Sequence, residues 1–489
     1  MPPRNVLWIM CDQLRKDSLG CYGNSYAVTP NLDALAAQSA RYDECYVANP
    51  ICGPNRTSLF TGMYPHNHGV WTNGLACRPS DYTLPAHLAA MGYRTASIGK
   101  IHFSPTDVYT HDVGSPEAAW RWADERADYD RHGPYGGFDY VELTVGHQRQ
   151  RGHYRQWFFE HGGTDEMFAL TRCTQDAMSG AMQIPEALHV STFVGERACE
   201  YLRGARADGR PFFLVASFPD PHHPFDPPET LDAAWRDRPV KPPVGDAADL
   251  SGRPAHYRQH LDGAWTRAGA CPPAHSGGVP AACRDDRIRK TAAMVELIDR
   301  NVGSILRTLA QEGLAEDTIV IFTSDHGELL GDHGLWLKGP FFYRGLINVP
   351  LLVKAPGVRP GLRAQLVSSV DLAPMVCTLL GCAPLPFADG ISPLDEFGRD
   401  APPRRECLIE YRTGYLPSDR ASFALVDARY TYVRHQTGEE ELTDRLEDAD
   451  ERNNLTDAEH AQTREDMALR MLDMLLANGS KAPRQVCNA

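Results

Sequence analysis

The chain has 489 residues, 42% hydrophobic and 23% charged, which excludes the disordered and fibrous classes and gives length enough for one large domain and a smaller one. With 63 acidic against 49 basic side chains the formal net charge is -14, which argues against nucleic acid as a partner and leaves an anionic substrate to be met by a local basic cluster. The 13 cysteines are odd in number and scattered, without the spacings of a disulfide framework or a zinc site.

The chain opens MPPRNVLWIMCDQ, where an apolar run starts at once, lacks a small-residue cleavage site, and is far below the ~20 residues that span a bilayer. The expectation is a protein of the reducing cytoplasm with neither leader nor membrane anchor. Residues 5–11 are continuously apolar and predict a strand buried on both faces. Thr29 as N-cap with Pro30 in the first turn opens a helix through NLDALAAQSA, and LPAHLAAM predicts another that stops at Gly92. Residues 93–98 are the next strand. The stretch from about 103 to 185, rich in Gly, His, Trp and Arg, reads as a long loop insertion. Within it Tyr154, Arg155, Trp157 and Phe158 would form either a leaving-group pocket or a contact between copies in a homo-oligomer.

Residues 211–218 are a third strand, and 224–285 a second loop insertion rich in Pro, Asp and Gly. A helix follows over 287–309 with Ile288, Ala292, Val295, Val302 and Leu306 near one face, then strands at 318–323 and 349–354. Strands alternating with helices predict an α/β fold, a doubly wound, mostly parallel sheet flanked by helices. Beyond the Pro-rich APLPFADGISPLDEFGRDAPPRR, the runs CLIEYR and SFALVDARYTYVRH and the helix-like MALRMLDMLLANG predict a small α+β domain. The expected organisation is a catalytic domain over 1–384 and a C-terminal domain over 385–489.

Four strands run, at or just beyond their carboxyl ends, into Asp12, Lys100, His222 and Asp325. Open α/β sheets bind ligands outside those ends, so the four are expected in one crevice. Asp12 with Gln13, and Asp325 with His326 in TSDHGELLGDHG, offer oxygen and nitrogen ligands to a hard divalent cation, calcium first and manganese or magnesium as alternatives. In CGPNRTSLFTG, Pro54 suits a first helical turn and Gly62 a helix end. Cys52 would then lie beside a helix N-terminus that favours an anion, with Arg56 one turn on able to aim its fork at the same anion. Each residue alone has a plainer reading: an Asp as helix cap, a Cys as buried thiol, a Lys as solvated surface.

Together they carry a resemblance. The C-x-P-x-R run CGPNR, followed by TSLFTGMYPHNHG, resembles the signature of the type I, formylglycine-dependent sulfatases of the alkaline phosphatase superfamily. The rest follows in chain order: Asp12 and Gln13 resemble the family's first metal-binding pair, usually two Asp, and Asp325 with His326 the later pair. Gly99, Lys100, Ile101 and His102 match G-K-x-H; His222, His223 and Pro224 match H-x-P; Lys338 in WLKG is similar to the sulfate-contacting lysine. EELTDRLEDADERNNL is similar to the family's C-terminal strand and loop.

The resemblance implies that a formylglycine-generating maturase oxidises Cys52, that the hydrated gem-diol attacks sulfur, and that Arg56 steadies it. It also implies a divalent metal on Asp12, Gln13, residue 52, Asp325 and His326. Lys100, Lys338 and Arg56 would stabilise charge on the sulfuryl oxygens, His222 would protonate the leaving oxygen, and His102 would help break the remaining hemiacetal. Asn73 is a further candidate substrate contact, while His66, His68 and His223 are left mostly to structure. The expected substrate is a small-molecule sulfate ester, such as an aryl, choline-like or monosaccharide sulfate. Phosphonate monoester and phosphodiester hydrolases share the fold, the signature and the metal pair but typically carry Tyr and Thr in place of Lys and His in G-K-x-H, so Lys100 and His102 favour sulfate. An inactive relative that only binds sulfated ligands would keep Cys52 as a thiol.

Overall fold

The computed structural model describes residues 5–77, 82–106, 116–122, 132–146, 151–171, 178–262, 281–412 and 421–479. The strands β1 (Asn5–Cys11), β2 (Ala40–Tyr46), β3 (Arg94–Gly99), β4 (Tyr140–Val145), β5 (Arg151–Gly152), β6 (Phe212–Phe218), β7 (Thr318–Ser324), β8 (Leu351–Lys354) and β9 (Gly361–Ser368) form one sheet, in the order β5-β4-β3-β6-β1-β7-β8-β2-β9. Its centre is parallel: β1 pairs with β6 and β7, and β3 with β6 and β4.

β1 shows why the expected strands form. All seven residues are buried, and by the two-residue period of a strand Val6, Trp8 and Met10 enter one core while Leu7, Ile9 and Cys11 enter the other. The first core takes in Leu59 and Phe60 of the helix Cys52–Thr61, Leu84 and Leu88 of Leu84–Ala90, and Leu372 and Val376 of Leu372–Leu380. The second takes in Leu32 and Leu35 of the helix Pro30–Ala36, Val194 and Leu202 of Val190–Asp208, and Val302 and Ile305 of Ala281–Gln311.

Several expectations are corrected. The run at 349–354 is not another parallel strand; as β8 it lies antiparallel to both β7 and β2. The first helix ends at Ala36, and the chain goes straight into β2, whose own direction agrees with β1 because two antiparallel pairings separate them from β8 to β7. Thr29 does not cap that helix through its side chain; its hydroxyl accepts from the Gly20 N–H at 2.9 Å and meets Asp33 Oδ1 at 3.2 Å.

The stretch at 103–185 contains β4, which extends the sheet parallel to β3, and the helix His153–Glu160. Tyr154, Trp157 and Phe158 on that helix are buried, their rings packing on one another and on Phe193, and the Tyr154 hydroxyl donates to the Leu188 carbonyl at 2.8 Å. They wedge a helix onto the sheet instead of forming a pocket or a contact between copies; Arg155 lies over the Phe159 ring at 5.0 Å. The described part of 224–285 contains the helices Glu229–Trp235 and Ala255–Leu261, with Trp235 and Tyr257 buried.

The strands β10 (Cys407–Arg412), β11 (Ala421–Val426), β12 (Tyr430–His435) and β13 (Glu440–Asp444) form a separate antiparallel sheet in sequence order. The helix Ala461–Ala477 closes it through Met467 and Met471. The two sheets are joined by buried polar contacts: Glu410 N–H to the Ala48 carbonyl at 2.8 Å, Arg445 to Glu44 at 2.7 Å and Arg253 to Glu441 at 2.9 Å. Among the described residues no helix is long and apolar enough to cross a membrane.

Candidate active site

The shared direction of β1, β3, β6, β7 and β2 brings their carboxyl ends to one edge, and the chemistry collects there. β1 delivers Asp12 and Gln13, β3 Lys100 and His102, β6 His222, and β7 Asp325 and His326. β2 leads through a short turn to Cys52. There Ile51 is still extended and the helix Cys52–Thr61 begins; Gly62, at φ +68°, ends it, its N–H bonded to the Ser58 carbonyl at 2.9 Å. All ten helical residues are buried.

The Cys52 sulfur is the meeting point. Lys338 Nζ lies 2.8 Å from it and His326 Nε2 3.1 Å, and the side chains of His102 and His222 also hydrogen-bond to it. Burial alone would push the thiol up; Lys100, Lys338 and His326, with the His102 hydrogen bond, hold it well below the ordinary cysteine value. The same ammonium of Lys338 is 2.9 Å from Gln13 Oε1 and 3.1 Å from His326 Nε2. Asn73 Oδ1 accepts from the Gly53 N–H at 2.9 Å, beside Cys52.

Asp12, Cys52, Asp325 and His326 each offer one ligand atom, all four within 4.8 Å of one another and all buried. Two carboxylates and an imidazole around one point, with the Gln13 amide oxygen at their edge, fit a divalent cation. His326 Nδ1–H donates to the Gly327 carbonyl at 2.7 Å, which turns Nε2 into the cluster. Asp12 pairs with Lys100; burial and Cys52 oppose its ionisation, but Lys100, His222 and Lys338 keep it well below the usual carboxylate range. Gln13 sits at φ +68°, its N–H on Asp325 Oδ1 at 3.0 Å and its side-chain NH2 on the buried Glu328 carboxylate, so its amide oxygen is directed at Lys338.

Arg56 is placed differently from the expectation of a fork aimed at an incoming anion. Its Nε donates to Asp325 Oδ2 at 2.6 Å, and its Nη1 to the Lys100 carbonyl at 2.6 Å and Ser217 Oγ at 3.0 Å. Both Arg56 and Asp325 are fully buried, so the guanidinium braces the carboxylate and ties three strand ends together. His222 donates its Nδ1–H to the His223 carbonyl at 2.5 Å, and burial, then Lys338, lowers its pKa to about 4. His102 adopts φ +63° in a turn whose N–H groups at 102, 103 and 104 all donate to the Glu117 carboxylate.

Asp12, Gln13, Cys52, Arg56, Asn73, Lys100, His102, His222, Asp325, His326 and Lys338 therefore lie in or against one cluster, whereas Tyr154, Trp157, Phe158, His66 and His68 lie elsewhere. Sequence reasoning passed over Glu328, Glu117 and Ser217, and left His223 mostly to structure; His223 stacks on His222 at 4.0 Å and reaches Gln13 Nε2 at 3.3 Å. Glu328, in the DHGE run itself, had a local signal; Glu117 and Ser217 act on distant segments and had none.

The pattern of the family described as Sulfatase matches residues 4–382. The chain belongs to the sulfatase family. As a member it is a sulfuric ester hydrolase. This sulfatase is 30% identical to the sulfatase YidJ of Escherichia coli (strain K12), over 77% of its own length and 67% of that protein. It is 28% identical to a choline-sulfatase of Rhizobium meliloti (strain 1021), over 93% and 82%. Among solved structures it is similar to the phosphonate monoester hydrolase of Agrobacterium radiobacter, with a TM-score of 0.79 at 24% identity over 98% of this chain and 96% of the other. That likeness shows the shared alkaline phosphatase-like fold.

Proposed function

We propose that this sulfatase hydrolyses a small sulfate monoester with a formylglycine made from Cys52 by a maturase. The observation that supports it most is the convergence of two lysines, three histidines and two carboxylates on the sulfur of one cysteine at a helix start. In the mature enzyme the oxygens of the gem-diol would stand where that sulfur stands. Asp12, Gln13, Asp325 and His326 with those oxygens would hold one divalent cation, and the exchange of sulfur for oxygen makes the site hard, which suits calcium. When bound, such an ion supplies Lewis-acid stabilisation of charge on the sulfuryl oxygens.

The side chains do the rest. One gem-diol oxygen, having given its proton to solvent beside the cationic Lys100 and Lys338, attacks sulfur while the ester oxygen leaves, and the two lysines stabilise the charge that develops on the transferring group. The leaving oxygen takes a proton from His222. Since the Nδ1–H of that ring is committed to the His223 carbonyl, the proton transferred sits on Nε2, acquired as the negative ester enters. The product is a sulfated hemiacetal. His102 removes the proton of its free hydroxyl, the C–O bond to sulfate breaks, and the aldehyde returns, to be hydrated by water. Asn73 holds the Gly53 turn beside the reacting group, and Arg56 fixes Asp325.

The test is direct. Mass spectrometry of the peptide that carries residue 52, from native material, is expected to show the aldehyde, and Cys52→Ala to reduce sulfate-ester turnover to background. Sulfate release undiminished in Cys52→Ala would sink the reading. Lys100 and His102 support sulfate over phosphonate, so kcat/KM for an aryl sulfate is expected to exceed that for an aryl phosphonate; the reverse by orders of magnitude would make phosphonate the substrate class.

A further inference from the structure

Away from the active site, a second group of side chains brings metal-binding atoms together. The helix Leu372–Leu380 ends in Gly381 at φ +65°. The Gly381 N–H bonds to the Thr378 carbonyl and the Cys382 N–H to the Cys377 carbonyl, each at 3.0 Å, the paired bonds of a Schellman turn. Such a turn folds the chain back so that the side chains at these two positions meet, usually as an apolar contact. Here both are cysteines. The helix Leu84–Ala90, far upstream in the chain, sets His87 against them, and the ring's Nε2–H donates to the Ala383 carbonyl at 2.8 Å. One ligand atom from each of His87, Cys377 and Cys382 lies within 4.8 Å of the others. Cys377 is buried while Cys382 and His87 are partly exposed, so the group is reachable from solvent.

We propose that Cys377, Cys382 and His87 bind a borderline-soft divalent ion, zinc being the one their chemistry fits, with water in the fourth position. Two sulfurs and an imidazole are the donors of tetrahedral zinc, whereas the carboxylate-rich Asp12 cluster selects hard ions, so the two sites sort metals by donor type. The carbonyl of Ala383 holds the imidazole as a backbone carbonyl commonly holds a metal-bound histidine, leaving the Nδ1 lone pair to the ion. The two sulfurs lie within hydrogen-bonding reach of one another, so little rearrangement is needed for both to face one ion. Binding releases the thiol protons and ties a helix near the start of the sheet to the last helix before the C-terminal sheet. The site is independent of the proposed catalytic mechanism.

The experiment uses the full chain, reduced and saturated with calcium, titrated with cobalt and then zinc. One cobalt per chain is expected, with a near-ultraviolet thiolate-to-metal absorption that zinc displaces. The absorption is expected to survive Asp12→Asn, which belongs to the other cluster, to vanish in Cys382→Ser, and to require at least about tenfold more cobalt in His87→Gln. Zinc is also expected to protect Cys382 of the unaltered protein from alkylation, read by peptide mass spectrometry, a measurement that needs no variant to fold. Absence of the thiolate absorption from the reduced protein, its persistence in Cys382→Ser, or equal alkylation of Cys382 with and without zinc overturns the proposal.

Discussion

Arg56 and Asp325 are a buried ion pair with four further hydrogen bonds fixed around them, and removing one partner leaves the other charged without compensation. Arg56→Ala is therefore expected to cost about 3–5 kcal/mol in denaturant unfolding, and Arg56→Lys to recover only part, because an ammonium cannot reproduce the fork. His68 shows the opposite preference. Burial, and then His66, lowers its pKa to about 3; its Nδ1 accepts from the Val70 N–H and its Nε2 faces Ser58 Oγ. In the unfolded chain it takes a proton near the ordinary value of 6.5, so between the two values the unfolded state binds more protons and stability falls as pH drops. The slope from this residue is up to about 1.4 kcal/mol per pH unit, and His68→Asn is expected to flatten the stability curve between pH 6 and pH 4. At this scale the sequence was most legible where residues act through a contiguous motif, as with Cys52 and Asp325. It was least so where a side chain serves a segment far away, as Glu117 serves the turn at His102.

Between elements the tightest constraint is where β3 passes β6. Gly99 sits at φ +105°, and a Cβ there would lie 1.9 Å from the Ser217 carbonyl oxygen. Gly99→Ala must push the strands apart just where Lys100 leaves the sheet, whose N–H is bonded to that same carbonyl at 3.0 Å. It is expected to lower the thermal midpoint and to lower kcat more than a surface glycine change such as Gly23→Ala does, measured on the same substrate. The continuous apolar runs β1, β6 and β7 were readable because strands buried on both faces need no polar residue. β2 was not: ARYDECY puts Arg41, Asp43 and Glu44 on a strand. These charges are tolerated because Arg41 donates to the Cys21 carbonyl, Lys16 reaches Asp43, and Arg344 and Arg445 meet Glu44. Those partners lie on other segments, and no local period announces them.

At the scale of the whole molecule, the C-terminal sheet is not an independent appendage. Its core includes Ala48, Tyr64 and Val370 from the segments around the larger sheet together with Leu408, Leu425, Tyr432 and Leu442, and His66 pairs with the buried Glu410. A chain ended at residue 384 would expose that surface and is expected to aggregate, while the full chain should unfold in a single calorimetric transition; a soluble, folded truncation would contradict this. The change from apolar to alternating runs after the Pro-rich stretch made this sheet legible, but its interlock with the first domain depends on Glu410, Arg445 and Arg253 and was not. The burial of the helix Cys52–Thr61 also bears on the order of events in the life of the chain. Cys52 is 1% exposed and the helix that carries it is sealed on every side. A small ester needs only a narrow way in, but a protein catalyst must grasp the backbone around the residue it alters. The conversion proposed above would then have to happen while this segment is still unfolded, on the nascent or newly released polypeptide. Maturase added to the finished protein should leave residue 52 as a thiol, whereas maturase present during refolding from denaturant should yield the aldehyde.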